Sequence, residues 1–133
     1  MPPVKAQFGM TKVIVSDIER AFAFYHSVFG LEESARVSKG EGESEMHEII
    51  MGSERGKMSV PSLVVQSYPN KPLPTPGVVT LGFIVPDLEA AIDKAVNSGA
   101  IIKRPITLMP EHGIKVAFVS DPEGHLLEVV QML

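Results

Sequence analysis

MTKVIVSDIERAF (Met10–Phe22) and TLGFIVPDLEAAI (Thr80–Ile92) follow one pattern: an apolar strand, an Asp, then an amphipathic helix. At a constant offset, Ile14, Val15, Asp17, Glu19 and Ala21 recur as Ile84, Val85, Asp87, Glu89 and Ala91. An internal repeat of this kind decides the architecture before any single element is assigned. In the first copy Ile18, Ala21, Phe22, Tyr25, Val28 and Phe29 fall on one face of a 3.6-residue period. Leu88, Ala91, Ile92 and Ala95 do the same in the second. Asp17 and Asp87 stand where an N-cap accepts from unpaired backbone N–H groups. Gly30 and Gly99 stand where a left-handed stop is wanted.

Beyond each helix the chain reads as strands and hairpins. Strands are predicted near 31–38, 45–51 and 60–67, separated by the turn-rich stretches Lys39–Glu43 and Gly52–Gly56. Residues 68–77 (YPNKPLPTPG) hold four prolines, which neither a helix nor a central strand tolerates. They read as a linker. Strands follow near 100–108, 113–120 and 125–132, with Asp121-Pro122-Glu123-Gly124 as the turn before the last. The prediction is an α+β fold: one domain over residues 1–133, made of module 8–67, linker 68–77 and module 78–133. Each module is β-α-β-β-β. One helix covers only one face of its sheet, so the modules are expected to pair around a central cavity that binds a small molecule.

Composition narrows the function. The 133 residues carry a net charge of −4, with no basic stripe to hold nucleic acid or an anionic membrane. With no cysteine, disulfides, thiolate metal sites and Cys nucleophiles are excluded. The N-terminus lacks a signal pattern and no apolar run reaches a membrane span, so the expected location is cytoplasmic.

The segments Val13–Gly30 (VIVSDIERAFAFYHSVFG), Phe83–Gly99 and Asp121–Val130 (DPEGHLLEVV) resemble the vicinal oxygen chelate superfamily. That group includes glyoxalase I, bleomycin-resistance proteins, extradiol dioxygenases and methylmalonyl-CoA epimerases. The resemblance implies the paired-module fold, a homodimer, and a divalent metal held on the first and last strands of each module. Met10 and Thr80 occupy the first-strand positions, and Glu128 a last-strand position. The remaining position is Val65 if the fourth strands align without a gap, or Gln66 if they are shifted by one. A thioether, a hydroxyl and at best an amide beside one carboxylate make a poor site for a hard divalent ion. No cofactor is therefore expected, and of the metal positions only Glu128 is retained.

Glu128 is a lone charge in an apolar strand, on the face shared with Leu126 and Val130. It reads as a general base, or else as a carboxylate paired inside the fold. Lys12 projects on the same side as Met10 and reads as a cation that holds an anionic substrate or pairs with Glu128. Gln66 and Thr80 are hydrogen-bonding candidates, and Met10 an apolar wall. Among the histidines only His47 falls on a mid-sheet strand. Three functions follow: a glyoxalase-like lyase or isomerase that moves a proton on an oxygenated metabolite; a non-catalytic sequestering protein of the bleomycin-resistance type; or a metal-dependent dioxygenase using ligands such as His47 or Glu48.

Overall fold

The computed structural model describes residues 2–133. Strand β1 (Met10–Ile14), helix α1 (Ile18–Phe29), β2 (Glu32–Lys39), β3 (Met46–Gly52) and β4 (Ser62–Ser67) form the first module. Strand β5 (Thr80–Ile84), helix α2 (Leu88–Asn97), β6 (Ile101–Met109), β7 (Ile114–Ser120) and β8 (Leu126–Met132) form the second. The sheets have matching orders, β1-β4-β3-β2 and β5-β8-β7-β6. In each, the first strand runs parallel to the last and the other pairs are antiparallel. A parallel pair requires a crossover, and the helix provides it.

The N-caps form as the sequence predicts, whereas α2 ends on Ser98 at φ −99° and Gly99 follows it at φ 104°. The Asp17 carboxylate accepts from Arg20 N at 3.1 Å and Asp87 from Ala90 N at 3.1 Å. Gly30 ends α1 at φ 72°, a left-handed backbone that a side chain would strain. The predicted face of α1 is incomplete, however: Phe24 is buried, whereas Phe22 is only partly so and stacks on His26. Helix α1 is covered on two sides, which widens its apolar arc. Its own sheet covers one; on the other, Phe29 stacks against Phe83 of β5 with ring centroids 4.0 Å apart.

One hydrophobic cluster therefore joins both modules. Val13, Ile49 and Val65 from the first sheet pack with Leu81, Leu127 and Val129 from the second, around Tyr25 and Leu88 of the helices. Since side chains alternate along a strand, Lys12, Glu48, Gln66 and Glu128 lie on the opposite, helix-free faces.

The turn Asp121–His125 locks the modules together. Tyr25 Oη donates to the buried Asp121 carboxylate, which also accepts from the backbone of Glu123 and His125 at 2.9 Å each. The Glu123 carboxylate, almost fully buried, accepts from Ser16 N (2.9 Å), Ser16 Oγ (2.8 Å) and Asp17 N (3.2 Å) at the entry to α1. Anionic oxygen is favoured there by the positive end of the helix dipole. His125 Nε2–H donates to Ile14 O at 2.9 Å.

Burial, followed by the Asp121 charge, pushes the Tyr25 phenol well above its ordinary value near 10. The folded chain keeps that proton while the unfolded chain loses it, so the stability tied to Tyr25 is complete below pH 10 and falls as pH rises further. Between pH 10.5 and 11.5, urea titrations are expected to show wild type losing about 1.4 kcal/mol more per pH unit than Tyr25→Phe. Parallel pH profiles for the two proteins would contradict this placement of Tyr25.

Candidate functional site

The helix-free face of the first module holds a compact polar group. Glu48 on β3 lies directly opposite Gln66 on β4, and β4 separates it from Lys12 on β1. Lys12 Nζ reaches across to Glu48 Oε2 at 3.2 Å. The Glu48 side chain is 6% exposed and that of Lys12 41%, so the lysine stem covers the sheet while its head meets water. Gln66 Nε2 donates to Tyr68 Oη at 3.4 Å. The sequence left Lys12 free to pair with Glu128; the structure gives it to Glu48.

Glu128 occupies the helix-free face of the second module. It is paired in register with Gly82 on one side and Phe118 on the other, and Arg104 lies over the Phe118 ring at 5.3 Å. Gly82 has no side chain, and a Cβ built there would meet nothing within 4 Å, so the space beside the carboxylate is open. Glu128 takes part in none of the ion pairs among the described residues. Met10 is 48% exposed at the start of β1. Thr80 begins β5 and lines a cleft of about 530 Å³ between the modules.

The register corrects one correspondence. Lys12 and Gly82 are equivalent in the repeat; Lys12 pairs with Val64, and Gly82 with Glu128. The counterpart of Glu128 is thus Val64, neither Val65, which is buried in the core against the helices, nor Gln66, two positions further on. The four family positions are then Met10, Val64, Thr80 and Glu128, a set with one hard donor. Such a set does not fit a divalent ion. No group of three or more His, Asp or Glu suited to a metal occurs among the described residues.

The histidines lie elsewhere. His47 Nδ1 accepts from Ser38 Oγ at 2.8 Å and its Nε2–H donates to Glu45 at 2.7 Å. As strand neighbours, His47 and Glu48 leave β3 on opposite faces. His26 Nδ1–H donates to Leu31 O at 2.8 Å, and His112 sits in the exposed turn Pro110–His112. The Lys12–Glu48 pair was not recognised in the sequence. Its signal is the one that marked Glu128, a single carboxylate in an apolar run (Met46-His47-Glu48-Ile49-Ile50).

The sequence pattern of the Glyoxalase/Bleomycin resistance protein/Dioxygenase superfamily matches residues 7–129. The chain belongs to this superfamily. A lactoylglutathione lyase of Pseudomonas aeruginosa is 29% identical to it, over 93% of this chain and 81% of that protein. The uncharacterized protein YwbC of Bacillus subtilis is 28% identical, over 91% of this chain and 94% of its own length. A glyoxalase family protein from Bacillus cereus shares the superfamily fold at TM-score 0.81 and 16% identity, covering 100% of this chain and 99% of that one. A maize glyoxalase I mutant superposes at TM-score 0.71 and 16% identity over 92% of this chain, which spans only 46% of the maize protein. Among the described residues, no helix is long and apolar enough to cross a membrane.

Lys12→Met leaves Glu48 buried without its cation and is expected to cost about 1–2 kcal/mol in urea unfolding, the half-exposed lysine limiting the loss. Lys12→Met combined with Glu48→Gln should recover most of that cost. A double variant as unstable as the sum of the two single ones would show that the residues do not interact.

Proposed function

We propose that this superfamily member is a glyoxalase-like lyase or isomerase whose Glu128 carboxylate moves a proton on carbon next to a carbonyl of a small oxygenated metabolite. The observation that carries this reading is Glu128 itself: a carboxylate without an ion-pair partner among the described residues, facing the open space at Gly82. A general base needs a free lone pair and room for the reacting carbon, and both are present. Lys12 and Gln66 are assigned to the substrate's oxygens, with Met10 and Thr80 as walls. Positive charge or hydrogen-bond donors near a developing enolate lower the barrier to proton removal. No step is assigned to a metal. The similarity to a lactoylglutathione lyase supports a thioester or hemithioacetal as the first substrate class to try.

A homodimer is part of this proposal. Met10, Ile84 and Met132, all exposed large apolar side chains, lie on the helix-free faces, where a second copy would cover them. A second reading, ligand sequestration without chemistry, draws on the poor donors Met10, Val64 and Thr80. Measurement of deuterium incorporation next to the carbonyl separates the readings. Wild-type protein incubated with lactoylglutathione in D2O should label the lactoyl carbon, and Glu128→Gln should slow labelling by about 10²–10⁴-fold while binding is kept. Equal labelling by both proteins would remove Glu128 from the reaction. Tight binding with no labelling would favour sequestration.

A further inference from the structure

β1 and β5 are each the outer strand of their sheet, and neither pairs with the other. The two edges instead face one another across a seam, where the cleft of about 530 Å³ opens. Its floor belongs to the hydrophobic core or packs on it: Leu31, Met51 and Leu63 from the first module, Leu81 and Phe83 from the second. Thr11 contributes a hydroxyl from the β1 wall and Thr80 one from the β5 wall, and Ser53, Ser59 and Ser62 add three more from the β3–β4 connection and the start of β4. Neither threonine hydroxyl is engaged by another group among the described residues. No charged residue, histidine or amide side chain lines the cleft. The polar cleft beside the start of α1 differs in this respect, being lined by Glu19, Arg36, His47 and Glu48.

We propose that the seam is a binding site for a neutral, mainly apolar small molecule carrying one hydrogen-bonding oxygen. The volume is in the range of small-molecule pockets, roughly 300–1,000 Å³. An uncharged ligand is required because a buried charge would have neither a counter-ion nor a strong dipole to replace its water. The wall hydroxyls can donate to or accept from a ligand oxygen, while the apolar remainder packs on the core side chains of the floor. Phe8, 70% exposed at the rim, gives the ligand an aromatic surface at the mouth. The seam adjoins the Glu128 site, sharing Thr80 and Gly82 with it, but its ligand does not depend on whether Glu128 moves a proton.

The test uses the full chain and the neutral fluorescent probe N-phenyl-1-naphthylamine. One probe per chain is expected, and Thr11→Phe and Thr80→Phe, which fill the cleft from opposite walls, should each weaken binding at least about tenfold. Anionic 8-anilinonaphthalene-1-sulfonate should bind at least about tenfold more weakly than the neutral probe. Circular dichroism reports whether the filled variants fold. If either does not, Thr11→Val and Thr80→Val take their place: each should weaken binding of 1-naphthol and leave naphthalene unchanged. Absence of binding, full binding in both filled variants, or equal affinity for the anionic probe would overturn the proposal. Probe binding that appears only once a dimer is diluted apart would also overturn it, by assigning the cleft to a second copy of the chain.

Discussion

The buried carboxylates of Asp121 and Glu123 sit in one five-residue turn of the second module, yet most of what they hold belongs to the first. Asp121 accepts from Tyr25 on α1, and Glu123 accepts from the backbone that enters the same helix. An almost fully buried charge is costly unless its lone pairs are satisfied, and here backbone N–H groups and hydroxyls satisfy them. The turn therefore forms correctly only when both modules are in place. It fixes the angle of α1 over β5, and with it the stack of Phe29 on Phe83 that joins the two halves of the core.

That constraint leaves part of the molecule uncommitted. With both helices committed to one shared core, the helix-free sheet faces and the seam between β1 and β5 are left over. The faces hold two unlike groups of residues. Lys12 and Glu48 pair on the first module, with Gln66 beside them bonded to Tyr68. Glu128 lies on the second between Gly82 and Phe118, outside every ion pair among the described residues. The two modules thus differ at the positions that the resemblance marks for a metal, with Val64 in one module answering Glu128 in the other.

Much of the fold was legible in the sequence because local signals agreed with one another: the paired N-cap aspartates and the apolar stripes mark helices the structure forms. Phe24 was not legible, since a one-sided stripe assumes a helix covered from one side, and α1 is covered from two. The partner of Glu128 was not legible either. The first module carries extra residues in its helix and in both hairpin connections, so the constant offset of the repeat fails before β4. Only strand pairing recovers the register. Lys12 and Gln66 could be assigned to their face by alternation, but the reach of Lys12 across β4 to Glu48 is a property of the assembled sheet.

The central claim is that the helix-free face works through a carboxylate in a site that has lost its hard metal donors. The most direct test is the divalent metal content of untagged protein, measured by elemental analysis after dialysis against micromolar zinc, nickel, iron and manganese. A content well below one ion per chain, unchanged in Glu128→Ala, is the predicted result. Close to one ion per chain, lost in Glu128→Ala, would contradict the claim and return the face to metal chemistry.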